Sequence, residues 1–425
     1  MRVFFDTVGC RLNQAEIEKM AAEFRAAGHE IVAQAAQADM VVVNSCAVTA
    51  EAASDSRQKV RQANRLGVGN IVLTGCWATL SPEEARALPG VTHVVVNEEK
   101  DSLTTQILGN LPPLYEAEPL ERAPLPGIHR RTRAFIKAQD GCSNHCTFCV
   151  TRLARGVPRS ESKESVLKQI KLAQSGHTHE AVLTGVHLGS WGSDLSAGET
   201  ITDLIVYLLK NSDIQRLRLS SIEPWGLDER FMELWQDARM CRHLHLPLQA
   251  GAATTLRRMA RNTTPEKFRA LAEMIRSYIP EMAITTDVIV GFPGETEADF
   301  AASLQFVQEM NFAGGHVFRF SPREGTAAAR LPGRINGRVA HARSEEMRAV
   351  LAASEAAYRE RFIGREVDVL WESNSFLSEN GWRIHGLTDN YLPVTAWSKM
   401  DRWNTINRVR LLRISTDALE GELLD

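Results

Sequence analysis

"GCSNHCTFCV", residues 141–150, places Cys142, Cys146 and Cys149 in a C-x3-C-x2-C spacing. It directly follows "AFIKAQD", residues 134–140, a short apolar run that reads as a strand. Three thiols just past a strand end can wrap one metal centre. A tetrahedral zinc needs a fourth ligand. No nearby cysteine supplies it, and His145 remains as a candidate in a spacing unlike that of zinc fingers. A four-iron cluster held by three thiolates instead keeps one iron open for a cofactor or substrate. A chance trio or a structural zinc loop is the competing reading, and the position after a strand weighs against it.

On both sides of this loop the chain alternates strand and helix. Upstream, "RVFFDT", "DMVVVNS", "NIVLTG" and "THVVVN" are β-branched runs, separated by helical stretches such as 13–27 and 54–66. Continuous apolar strands separated by helices predict an open parallel α/β sheet over residues 1–111, covered on both faces. Five prolines between 112 and 126 exclude a helix interior or central strand, so 112–132 reads as a linker. Over 133–363, "AFIKAQ", "EAVLTG", "RLRLSS", "HLHLPL", "ITTDVIV" and "GHVFRFS" alternate with helical segments such as 265–278 and 297–310. Six such units predict a partial (β/α)6 barrel, whose working loops follow the strand C-termini. A charged helix over 339–362 closes it. From 364 to 425 short strands follow one another without helices, which predicts a small all-β barrel. The fold class expected is therefore multidomain α/β.

A chain of 425 residues exceeds one ordinary core. Hydrophobic content of 44% and charged content of 24% are those of a globular protein. No run of 18 apolar residues predicts a membrane helix, and the start "MRVFFDTVGC" lacks the pattern of a secretory signal, so the expectation is cytoplasmic. Seven sparse cysteines are not a disulfide scaffold. The net charge is −3, yet residues 121–165 carry nine Lys/Arg against four Asp/Glu. A basic stretch around a metal loop points to an anionic substrate, against the plainer reading of a solvated face.

Cys10, Cys46 and Cys76 each directly follow a predicted strand. In a parallel sheet those positions share one edge, where open α/β sheets place their ligands. Isolated buried cysteines are the alternative reading. Cys241 starts a strand without any accompanying motif and reads as a buried structural thiol.

The C-x3-C-x2-C spacing with Phe148 before the last cysteine resembles the radical S-adenosylmethionine superfamily. "CRLNQAE" (10–16), "NSCAVT" (44–49), "TGC" (74–76), the linker and the central motif resemble the methylthiotransferase family almost end to end. That resemblance implies two 4Fe–4S clusters, one on Cys142, Cys146 and Cys149 and a second on Cys10, Cys46 and Cys76. It also implies S-adenosylmethionine, cleaved reductively to a 5′-deoxyadenosyl radical, and a C-terminal β module of the TRAM type. The implied target is an aromatic C–H, which no side-chain base can deprotonate near neutral pH.

"ARGVPRSES", "TGVHLGSWGSDL", "LRLSSIEP", "HLHLPLQAG", "LRRMARNTTPEKF", "TTDVIVGFPGET" and "FRFSPREGTAAA" resemble the branch acting on N6-threonylcarbamoyladenosine 37 of tRNA. Isopentenyladenosine in tRNA, a ribosomal-protein aspartate and a non-catalytic iron–sulfur RNA-binding role are the alternatives. Thr184 and Gly185 end a strand without bulk and leave room for the cofactor's methionine part; an ordinary strand-to-loop glycine is the alternative. Glu223 is a candidate for ribose hydroxyls, and Phe148 and Gln249 complete the cofactor candidates. Arg152, Arg155 and Arg159 are candidates for phosphates or the threonyl carboxylate. The implied partners are the tRNA anticodon stem-loop and an electron donor of flavodoxin or ferredoxin type, with no membrane. The β module carries seven Lys/Arg against ten Asp/Glu, a weak charge for an RNA-binding barrel. Without the acidic tail from Thr416 the balance is seven against six. Trp382, Tyr391 and Trp397 are candidates for base stacking or for core packing.

Overall fold

The computed structural model describes residues 1–109, 132–196, 198–379, 381–416 and 418–424. The expected linker over 112–132 lies outside them except for its last residue. The chain forms two compact units. One comprises Met1–Asn144, Cys149–Glu199 and Tyr207–Asp213; the other comprises His145–Phe148, Thr200–Val206 and Ile214–Asp425.

In the first unit five strands, β1 (Arg2–Thr7), β2 (Glu30–Ile31), β3 (Met40–Ser45), β4 (Ile71–Gly75) and β5 (Val91–Val95), form an all-parallel sheet. Its order is β2-β1-β3-β4-β5. Alternate residues of each strand serve opposite faces. Val3, Phe5, Val42 and Val72 pack with Ile17, Met20 and Phe24 of helix Arg11–Ala26. Val41, Val43, Ile71 and Leu73 pack with Val60 and Ala63 of helix Ala50–Arg65. That helix begins earlier than the hydrophobic period indicates, because the Thr49 hydroxyl accepts from the Ala52 N–H at 3.0 Å and caps it.

The same unit holds β6 (Arg133–Lys137) and β9 (Glu180–Thr184), paired in parallel. The expected strand "AFIKAQ" is broken at Ala138. Gln139–Asp140 (β7) turn away to pair antiparallel with Arg159–Ser160 (β8).

The second unit supplies β10 (Arg216–Leu219), β11 (His243–His245), β12 (Ala283–Val290) and β13 (Gly314–Arg319). β11, β12 and β13 pair in parallel, and a parallel bridge links Ser221 to His245. Helices Pro265–Tyr278 and Glu297–Met310 start at Thr264 and Thr296, whose hydroxyls accept the N3 amides. The region expected as a partial (β/α)6 barrel thus contributes β6 and β9 to the first unit and β10–β13 to the second.

After helix Gly337–Glu360 come β14 (Glu366–Trp371), β15 (Phe376–Ser378), β16 (Gly381–Thr388), β17 (Pro393–Ser398), β18 (Ile406–Ile414) and β19 (Leu419–Leu423). The order β14-β18-β19-β17-β16, with β16 pairing back to β14, closes a five-stranded barrel. Val369, Trp371, Ile384, Ala396, Val409 and Leu419 fill it, each at 0% exposure. Full burial of a Val, Ile or Leu side chain contributes about 1.5–3 kcal/mol. Within the segment from Thr416, expected as an acidic tail, Leu419–Leu423 is a barrel strand. Leu419 enters the core, and the Glu420 carboxylate pairs with Arg383 at 3.0 Å and Arg413 at 2.6 Å. Among the described residues no helix is long and apolar enough to cross a membrane.

Candidate cluster and cofactor site

Three loops at the C-terminal edge of the first sheet carry Cys10, Cys46 and Cys76. Cys10 precedes helix Arg11–Ala26, Cys46 follows β3, and Cys76 opens the short helix Cys76–Leu80. Gly9 makes the close approach possible. Its φ of +101° suits glycine alone, and a Cβ there would lie 2.6 Å from the Cys46 Sγ. Burial pushes the Cys46 thiol up to about 11, with the neighbouring Cys10 and Cys76 thiols adding to the rise. The structure thus brings these three thiols into electrostatic range of one another. None of the seven cysteines is in a disulfide. Among the described residues no group of three or more His, Cys, Asp or Glu side chains stands in metal-ligating geometry.

Beside the thiols lies a buried charge network. The Arg155 guanidinium donates to Glu16 Oε1 at 2.8 Å, Asp140 Oδ1 at 2.9 Å and Asn13 Oδ1 at 2.7 Å. Lys100 Nζ donates to Glu16 Oε2 at 2.8 Å, and Asn44 Nδ2 does so at 3.0 Å. Asn13 also donates to the Val8 and Ser45 carbonyls, tying the Cys10 loop to β3. Burial alone would raise the Glu16 carboxyl, but Arg155 and Lys100 outweigh it and hold it well below the usual range. This corrects the assignment of Arg155 to substrate. Its side chain is 2% exposed and fully engaged by two carboxylates and an amide. Arg152 is exposed, and Arg159 is partly exposed, 3.5 Å from Asp140.

The C-x3-C-x2-C loop is held from several sides. In the first unit the Cys142 N–H donates to the Gly156 carbonyl at 3.0 Å. The Asn144 and Thr151 amides point at Cys142 Sγ and Cys149 Sγ, each at 3.4 Å. Gly141, at φ +70°, lies against the Val157 carbonyl, where a Cβ would collide. Gln139 donates to the Asp140 and Gly141 carbonyls and accepts the His187 N–H at 2.9 Å. Thr184 is buried at the end of β9. A Cβ on Gly185 would approach Gln139 Oε1 at 3.0 Å, so this glycine makes room for Gln139.

In the second unit Thr147 exchanges backbone bonds with Met259 and Ala328. Phe148 packs edge-on against Phe292 at 6.4 Å, in a cluster with Leu256 and Met259. Phe148 therefore anchors the loop on the core. Arg261, buried, places Nη1 3.7 Å from Cys146 Sγ and Nη2 2.5 Å from Glu223 Oε2. Gln249 sits at φ +71° and bridges in parallel to Val288 through its backbone. Cys241 is 1% exposed. Gln139 and Arg261 lie within stretches already quoted but carry no signal in the string, because His187, Glu223 and Cys146, which they meet, are distant in sequence.

The donor sets fit thiolate-held clusters: thiols outside any disulfide, amides aimed at sulfur, and buried cations nearby that offset thiolate charge. Comparison with known proteins agrees. Residues 2–97 match the Uncharacterized protein family UPF0004, and residues 136–307 match the Radical SAM superfamily. The chain is 33% identical to the threonylcarbamoyladenosine tRNA methylthiotransferase MtaB of Bacillus subtilis, over 99% of this chain and 96% of that protein. It is 36% identical to the protein of the same name from Thermotoga maritima, over 87% and 86%. The chain belongs to the radical S-adenosylmethionine methylthiotransferase family. Within it, the two relatives just described carry the threonylcarbamoyladenosine name. The family works with two 4Fe–4S clusters and S-adenosylmethionine. The fold is also similar to that of the radical S-adenosylmethionine methyltransferase TsrM from Kitasatospora setae, with a TM-score of 0.58 at 14% identity, covering 77% of each chain.

Proposed function

We propose that the chain adds a methylthio group to C2 of N6-threonylcarbamoyladenosine at position 37 of tRNA, in the anticodon stem-loop. The observation that carries this reading is the gathering of Cys10, Cys46 and Cys76 at one sheet edge. A second thiol centre beside a radical cluster is the arrangement a sulfur-transferring radical enzyme needs. Similarity to two threonylcarbamoyladenosine enzymes over most of their length supports the substrate.

When bound, the clusters and S-adenosylmethionine supply the radical that removes the C2 hydrogen and the sulfur that replaces it. The chain's own residues do the rest. Cys142, Cys146 and Cys149 hold one cluster and Cys10, Cys46 and Cys76 the other. The Asn144 and Thr151 amides support the thiolates of the first. Thr184 and Gly185 form the wall for the cofactor's methionine part, Glu223 takes its ribose, and Gln249 and the Phe148 anchor complete the pocket. Arg152 and Arg159 meet tRNA phosphate or the threonyl carboxylate. The reductant is a protein of flavodoxin or ferredoxin type, and the setting is the cytoplasm.

The test is nucleoside analysis of tRNA from a strain lacking the gene. The methylthiolated threonylcarbamoyladenosine should vanish, return with the wild-type chain, and stay absent with Cys46→Ala. Persistence of that nucleoside overturns the substrate. Loss of methylthio-isopentenyladenosine instead moves the activity to that base. A purified protein that binds iron yet forms no 5′-deoxyadenosine under strong reductant is a binding protein, not an enzyme.

A further inference from the structure

Arg261, on the turn after helix Ala253–Arg258, belongs to none of the roles above, yet it reaches the second unit's part of the cluster loop at Cys146. The preceding Ala260 adopts φ +53°, a left-handed conformation unfavourable for a non-glycine residue. This turn, closed by the Arg261 N–H on the Leu256 carbonyl at 3.0 Å, sends the guanidinium inward. The side chain is only 2% exposed. Its plane lies over the Trp225 ring at 4.7 Å. Nη2 donates to Glu223 Oε2 at 2.5 Å and to the Pro247 carbonyl at 2.8 Å. Nη1 reaches Cys146 Sγ at 3.7 Å, ordinary for an N–H donor on sulfur. A lysine keeps the charge but presents no such planar fork to span sulfur, carboxylate and carbonyl.

Resting on the cluster assignment proposed above, we infer that Arg261 is a positioning residue that ties the Cys146 thiolate to Glu223 and makes the loop cluster easier to reduce. A cluster gains one negative charge on taking up an electron. An N–H donor and a buried positive charge at a ligating sulfur stabilise that reduced form and raise the reduction potential. Without the guanidinium, the Glu223 carboxylate would stand nearby uncompensated and act in the opposite direction. One side chain therefore sets both the electron affinity at Cys146 and the orientation of the carboxylate assigned to ribose.

The test uses the full chain with Cys10→Ala and Cys46→Ala, so that the remaining iron–sulfur signal belongs to the loop cluster. Proteins with Arg261, Arg261→Lys and Arg261→Met are reconstituted anaerobically and titrated potentiometrically with electron paramagnetic resonance detection. The midpoint potential is expected to fall from Arg to Lys and further to Met, at equal iron content. Equal midpoints in all three overturn the inference. If the Met variant holds no iron, the Lys variant decides: a midpoint below that of Arg supports the inference and an equal one overturns it. Iron loss in both variants assigns Arg261 to building the loop and also overturns the tuning role. Absence of the signal with Arg261 intact removes the cluster assignment itself, and this inference with it.

Discussion

Arg155 shows how one side chain can be misread at the residue scale. Its place in a basic stretch nominates it for RNA, and its burial against Glu16, Asp140 and Asn13 removes it from that role. Sequence alone could not supply this, because Glu16 stands 139 residues away and an arginine on a surface and one in a core look alike in a string. Removing one partner of a buried charge cluster typically costs about 3–5 kcal/mol. Arg155→Met should therefore lower the stability of the metal-free chain by about that much in urea titrations. Adding Glu16→Gln to it should recover part of the loss, because one uncompensated buried charge is then gone. Gly9→Ala makes a different point. Its Cβ would press on Cys46 while φ stays in the left-handed region, so the N-terminal trio should lose its metal and leave the loop trio intact. Iron analysis should read about four atoms per chain where the wild type holds about eight. The six cysteines proposed as cluster ligands are conspicuous because their spacing and strand-end placement are local features of the string.

At the scale of elements, regular helices were the most legible. Helices Pro265–Tyr278 and Glu297–Met310 are announced by a threonine cap before an amphipathic run. Two strands were not. The break at Ala138 depends on β7 finding β8, twenty residues on, which no period in "AFIKAQ" encodes. β19 reads as an acidic tail because its carboxylates dominate the composition, whereas its fate is decided by Leu419 and by arginines of other strands. The aromatic candidates also separate only in three dimensions. Tyr391 stacks on His243 at 4.4 Å, and Trp382 packs against the barrel core. Trp397 stays 42% exposed with Arg383 over its ring at 5.1 Å. A stacked base is worth about 1–3 kcal/mol. Trp397→Ala should thus weaken tRNA binding by roughly 5- to 150-fold in filter-binding assays. Tyr391→Phe, which keeps the ring seated on His243, should leave that affinity unchanged.

At the scale of the whole molecule, the β module of the second unit is held to barrel strands by arginines whose partners are mostly backbone. Arg216 and Arg218 donate to the Asp368, Leu387, Thr388 and Asp389 carbonyls, and Arg242 pairs with the Asp389 carboxylate at 2.6 Å and 3.0 Å. Burial would raise the Asp389 carboxyl, but its bonds to Arg242 prevail and hold it below the ordinary value. A depressed folded value means the stabilisation is complete above about pH 4, the unfolded value, and disappears as pH falls through the lower folded one. Asp389→Asn should lower the midpoint of urea unfolding at pH 7 and flatten its dependence on acid below about pH 4. An unchanged acid profile would show that the pair contributes nothing to docking.

The Arg155 fork has a practical consequence for anyone recombining these enzymes. It grips Asn13, three positions past Cys10, and Asp140, two positions before Cys142. A chimera that grafts the first hundred residues of one relative onto the remainder of another would sever that grip unless positions 13, 16, 140 and 155 were transplanted as a set.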